Sequence, residues 1–222
     1  MSELELELER NVPLSDRAYK LIKKMIIERE LAPGDSAPES VLAKRLGISR
    51  SPVKWALTRL QEDGLVVGEA WKVLSVAPLD PKYIDNVYQV RKALDVQCVV
   101  QSIDKIPSRK IEQLAAQLDA VKPAVEAGKP DAVREVFQFF QLMLLEHCDN
   151  ELLKVMIGKL QDHLDRIRHA SRGKNDYEWL EREYWMLRDE LDALRARDAA
   201  RLASILSNHH EQFRRWISAN WD

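Results

Sequence analysis

The chain has 222 residues, 45% of them hydrophobic and 32% charged, with a formal net charge of −2. That length holds one large or two small domains, and the balance of apolar and charged residues excludes a fibrous or wholly disordered chain. No cationic start followed by an apolar run opens the sequence, and no apolar stretch reaches about 18 residues, so neither secretion nor membrane spanning is expected. Gly is scarce, at 7, beside many Leu, Ala, Glu, Arg and Lys, which favours helix. Cys98 and Cys148 lie in apolar helical surroundings without metal-ligand spacing, the pattern of buried thiols in a reducing cytoplasm.

Residues 1–12 open with an alternation of Glu and Leu that a strand could also show, but their acidity and terminal position predict a mobile arm. A helix is expected over about 15–30, with Ala18, Leu21, Ile22, Met25 and Ile26 on its apolar face, and Pro33-Gly34 closes the connection after it. Leu42, Ala43 and Leu46 mark a second helix, and Gly47 can take the positive φ of a tight turn. Ser49 or Ser51 is placed to cap a third helix, with Pro52 in its first turn. Val53, Ala56, Leu57 and Leu60 recur at i, i+3, i+4, i+7 and bury one face of it. The other face shows Arg50, Ser51, Lys54, Trp55, Thr58 and Arg59.

No acidic residue falls between Ser40 and Gln61, whereas Lys44, Arg45, Arg50, Lys54 and Arg59 all do. In a slightly acidic chain this basic cluster is local. A helix, a Gly turn and a basic second helix form the pattern of a major-groove reader. A merely solvated basic face is the plain alternative. Beyond Gly64, Leu65–Val67 and Lys72–Val76 are β-rich and flank a short tip with Glu69 and Trp71. This reads as a hairpin, with Trp71 and Lys72 as its candidates for DNA contact.

Pro78 and Pro81 bar helix through a linker at 78–82, separating a domain at 13–77 from one at 83–222. The second domain reads as about six helices. Ile84, Val87, Val90, Leu94 and Cys98 line the first, and Ile111, Leu114, Ala115, Leu118 and Val121 the second. Val133, Val136, Phe137, Phe140 and Leu144 line the third. Asn150 starts the fourth, with Leu153, Ile157, Leu160, Leu164 and Ile167. Leu180, Tyr184, Leu187, Leu191 and Leu194 line the fifth; Asp198 caps a sixth bearing Leu202, Ile205, Leu206, His209, Phe213 and Trp216. His147, His169 and His210 are expected to face solvent. The fold class is therefore mainly α, a winged helix-turn-helix followed by an antiparallel α-helical bundle.

These residues also carry a resemblance. Leu31-Ala32-Pro33-Gly34, Leu42-Ala43, Leu46-Gly47, the run from Ser49 to Leu57, and Leu60 through Gly64-Leu65-Val66 together resemble the winged helix-turn-helix of the GntR family of bacterial transcription regulators. Arg91, Leu94 and Asp95, Phe140 with Asn150, and Ala193 with Asp198 and His209 resemble the ligand-binding FCD domain of that family's FadR-like branch. The resemblance implies a cytoplasmic bacterial repressor that reads a palindromic operator as a homodimer. Arg50, Ser51 and Lys54 would enter the major groove, Arg50 being suited to a bidentate contact with guanine, while Lys44, Arg45 and Arg59 hold phosphates. Three departures stand out: a short wing tip with one glycine, Ser40 where the family often has a basic residue, and Ala37 where it has leucine.

Many FCD domains hold a divalent metal through one Asp and three His. Here those positions fall on Phe137, Gln141, Leu187 and His209, so one ligand of four remains and no metal or other cofactor is expected. The implied effector is a small organic acid or related metabolite, with Arg91, Gln141, His163 and His209 as candidate contacts. Arg91 has two readings, a clamp on a carboxylate or an i, i+4 partner of Asp95. No Ser-His-Asp set, paired carboxylates or phosphate loop points to an enzyme. The competing function is a protein-interaction module or helical ligand carrier whose winged helix no longer reads DNA.

Overall fold

The computed structural model describes residues 12–69, 72–171 and 176–219. The expected arm at 1–12 thus lies almost wholly outside the described residues, as does Trp71. The chain divides into two units, one running as far as Asp80 and adding Asp162–Ala170, the other covering Pro81–Gln161 and resuming at Ser171. The first break falls inside the expected linker. The inclusion of Asp162–Ala170 in the first unit departs from the expected single domain at 83–222.

The first unit begins with α1 (Leu14–Ile27), shorter at its end than expected because the chain turns at Arg29, whose φ is 63°. Its buried face holds Ala18, Ile22, Met25 and Ile26, but Leu21 is exposed and Tyr19 takes the inner position. Next come α2 (Glu39–Leu46) and α3 (Arg50–Glu62), joined through Gly47 at φ 66°, ψ 28°. A side chain with a Cβ is disfavoured in that left-handed conformation, so glycine here permits the tight turn. Ser49 occupies the N-cap position of α3 without a side-chain cap bond. Val53, Ala56, Leu57 and Leu60 are buried as their spacing requires, in one core with Ile22, Leu42, Leu65 and Val76. The hairpin forms from β1 (Val66–Val67) and β2 (Ser75–Val76), antiparallel with Val66 opposite Val76 and Val67 opposite Ser75.

The second unit holds α4 (Pro81–Ser102), α5 (Ser108–Glu126), α6 (Val133–Glu146), the first half of α7 (Glu151–Ser171), α8 (Asp176–Arg195) and α9 (Ala199–Ala219). Helix α9 packs on α4 and α8, and α5 and α6 each pack on α8, giving the expected bundle. Asn150 Oδ1 accepts the Leu153 amide at 3.0 Å and Asp198 Oδ1 accepts the Arg201 amide at 2.9 Å, capping α7 and α9. The core runs through Leu114, Leu118, Phe140, Tyr184, Leu187 and Leu202. Cys98 and Cys148 are free and buried there. Val90, expected inside, is half exposed. No helix among the described residues is long and apolar enough to cross a membrane.

Candidate nucleic-acid interface and polar core

Helix α3 packs against α1 and α2 through its apolar side, which turns its N-terminal Arg50, Ser51 and Lys54 outward, all three exposed. Lys44 on α2 is exposed as well. The helix has no acidic residue in its first turn, so its positive dipole end and the Arg50 and Lys54 charges have the same sign. The other two cations are already engaged. Arg45 pairs with Glu30. Arg59 pairs with Asp16 at 3.1 Å, and its guanidinium stacks 4.3 Å from the Tyr19 ring and 5.4 Å from Trp55. Lys72, in the hairpin, pairs with Glu69 at 2.6 Å.

This arrangement separates the basic cluster into two groups. Lys44, Arg50, Ser51 and Lys54 present exposed donors around the start of α3. Arg45, Arg59 and Lys72 must give up or share a carboxylate to meet a phosphate. These pairs are solvent-exposed, so each holds its cation by no more than about 1 kcal/mol.

The bundle treats charge differently. Arg91 is only 2% exposed. Its Nε donates to Asp95 Oδ2 at 2.6 Å and its Nη1 to Gln161 Oε1 at 3.1 Å. Of the two readings of Arg91, the geometry realises the i, i+4 pair. His210, expected in solvent, is buried instead and joins that pair, its Nε2 bonding Asp95 Oδ2 at 2.8 Å. Burial works against charge on Asp95, but Arg91 and His210 outweigh it and hold the carboxyl below its usual range. The same burial pushes His210 down.

His209 is flanked by carboxylates, with Nδ1 bonded to Glu190 Oε1 at 2.9 Å and Nε2 3.6 Å from Glu183 Oε1. The rings of Phe137 and Trp179 lie 5.2 and 5.8 Å from it. Burial disfavours the imidazolium, yet Glu190 and Glu183 outweigh it and raise the pKa to about 9. Glu190 Oε2 is buried with no hydrogen-bond partner among the described residues.

The four positions aligned with the family's metal ligands do not fit a metal. Phe137 and Leu187 offer no donor atom, and both His209 nitrogens face carboxylates. Gln141 is half-buried on α6. His163 belongs to the Asp162–Ala170 segment of the first unit, where its ring lies beside Gly64, whereas Arg91 and His209 belong to the second. His147 and His169, expected in solvent, are half-buried and bond the Met143 and Asp165 carbonyls of their own helices.

Glu183 and Glu190 were not anticipated. Their signal was present: with Leu187 and Leu194 they form an i, i+4, i+7, i+11 series on α8, so they border its buried stripe. His210 was legible in the same way, lying four residues after Leu206 and three before Phe213.

Comparison with known proteins follows the same division. Residues 14–70 match the model described as bacterial regulatory proteins, gntR family, and residues 86–212 match the FCD domain. The chain is 28% identical over 190 residues to the HTH-type transcriptional regulator YdhC of Bacillus subtilis (strain 168), covering 84% of each chain. It is 24% identical over 212 residues to the HTH-type transcriptional repressor RspR of Escherichia coli (strain K12), covering 94% of this chain and 91% of that one. Among solved structures, E. coli McbR/YncC superposes with a TM-score of 0.73 at 20% identity, over 95% of this chain and 100% of that one. A GntR regulator from Rhodococcus sp. RHA1 gives 0.70 at 18% identity, over 94% and 99%.

Proposed function

Since the chain belongs to the gntR family of bacterial regulatory proteins, in the branch with an FCD domain, and is a DNA-binding transcriptional regulator rather than an enzyme, we propose that it is a cytoplasmic, ligand-responsive repressor. The observation that carries the reading is the exposed group of Lys44, Arg50, Ser51 and Lys54 around the start of α3, whose cations form no ion pair among the described residues. Repression is supported by similarity to RspR, a repressor over nearly the whole length compared. Two copies would place two α3 helices in successive major grooves of a palindromic operator. Arg50 reads a guanine edge and Lys44 neutralises phosphate; Arg45, Arg59 and Lys72 add charge once released from Glu30, Asp16 and Glu69.

The effector in this proposal is a small organic acid or related metabolite that enters the polar core around Arg91 and His209, with Gln141 at its side and no metal. A carboxylate binds the Arg91 guanidinium by displacing Asp95, and it regulates DNA binding only if its affinity differs between the two operator-binding states.

Selection from random DNA tests the first half. Enrichment of a palindrome that Arg50→Ala no longer prefers is the expected result; no enriched sequence would favour a protein-interaction module. Thermal shift against a panel of carboxylic acids, run beside metal analysis, tests the second. Stabilisation by an acid that Arg91→Ala abolishes supports the clamp, and one bound metal per chain would overturn the metal-free core.

A further inference from the structure

Among the exposed residues of α3, Trp55 is the one large apolar side chain, and it is 44% exposed. Val53, Ala56, Leu57 and Leu60 fix the inner side of this helix. Ser51, Trp55 and Thr58 stand opposite them, at i, i+4 and i+7. Trp55 therefore lies on the centre line of the outward face, one turn and about 6 Å beyond Ser51 along the axis. An indole left in water forgoes the burial that would stabilise the fold, and such rings concentrate at binding surfaces.

Two neighbours prepare the ring. Arg59, one turn further on, sets its guanidinium 5.4 Å from the Trp55 ring, and is itself held by Asp16 at 3.1 Å and by the Tyr19 ring at 4.3 Å. Thr58 donates its hydroxyl proton to the Lys54 carbonyl at 3.1 Å, so its donor is already used. The outward face thus changes character along its length. Around Arg50 and Lys54 it offers cationic donors, which suit guanine. Around Trp55 it offers apolar surface and a single indole N–H.

We propose that Trp55 reads a thymine of the operator through its C5-methyl group. The proposal rests on the reading of α3 as the helix that enters the groove, and it adds a second base contact to that of Arg50. Of the four bases, thymine alone puts a methyl group in the major groove, and it does so beside its O4 acceptor. That combination matches an indole, which is apolar over its rings and has one N–H donor and no acceptor. Lys54 and Arg59 flank the ring on the exposed face, and two cations suit the patch to a polyanion rather than to an apolar protein surface.

The test uses the duplex that the full wild-type chain enriches from a random pool. Each thymine of one half-site is replaced in turn by deoxyuridine, which removes only the methyl group, and affinity is measured at fixed salt by fluorescence anisotropy. One replacement should weaken wild-type binding about fourfold, the transfer value of one methyl group. The same replacement should cost Trp55→Ala and Trp55→Gln nothing, and should still cost Trp55→Phe, which keeps an apolar ring. A wild-type chain indifferent to every replacement overturns the proposal, and so does a penalty that persists in Trp55→Ala. In either case the reading of α3 stands if Arg50→Ala still loses its preference for that duplex. Failure to enrich any duplex overturns both.

Discussion

Arg50 and Arg91 are the same side chain put to opposite use. Arg50 stands in water at the start of α3, in a helix whose first turn has no carboxylate. Arg91 is buried and held by Asp95 and Gln161. An exposed cation costs the fold almost nothing and keeps its interaction energy for a partner. A buried cation must be matched inside the molecule, because the desolvation penalty exceeds what one imperfect contact returns. The first unit thus advertises its chemistry, whereas the second conceals its own in a closed network.

The largest effect expected from breaking this contrast lies in the bundle. Asp95→Ala leaves Arg91 buried without its carboxylate and should destabilise the second unit by about 3–5 kcal/mol, read by urea unfolding. A loss below about 1 kcal/mol would mean that Gln161 alone suffices.

The pH dependence comes next. The folded pKa of His209 is about 9, above its ordinary 6.5, so its contribution is complete below about pH 6.5 and disappears as pH rises through about 9. The shift corresponds to roughly 3 kcal/mol. Unfolding midpoints should fall across that window in the wild type, and Glu190→Gln should flatten the profile.

Smaller effects belong to the surface. Arg50→Ala should reduce discrimination between operator and random DNA by about 1–3 kcal/mol in binding assays while changing stability by no more than about 0.5 kcal/mol. Lys44→Ala should weaken operator and random DNA alike and lower the salt slope by about 1. Equal loss of specificity from both substitutions would erase the distinction between reading and phosphate contact on α2 and α3.

The DNA-reading half was almost fully legible in the sequence. Its signals are local: Gly47 in the turn, the i, i+3, i+4, i+7 series in α3, and the absence of acids between Ser40 and Gln61. The helices of the bundle were legible for the same reason, and Asn150 and Asp198 cap as expected. The polar core was not. Each of its pairs except Arg91–Asp95 joins residues distant in sequence, such as Asp95 with His210 and Glu190 with His209, and no periodicity states which buried charges meet. Position on a stripe reveals burial; it does not reveal the partner. Leu21 and Val90 fail in the opposite sense, being apolar residues at helical spacing that remain exposed.

The buried thiols have a use of their own. Burial, and then the neighbouring Cys148, push the Cys98 thiol up to about 12, so at neutral pH it is not a nucleophile while the bundle stays closed. Alkylation at that position consequently counts openings of the second unit. A small molecule that binds the closed form slows the count in proportion to its occupancy, which makes this cysteine a built-in timer for finding the effector without knowing the operator.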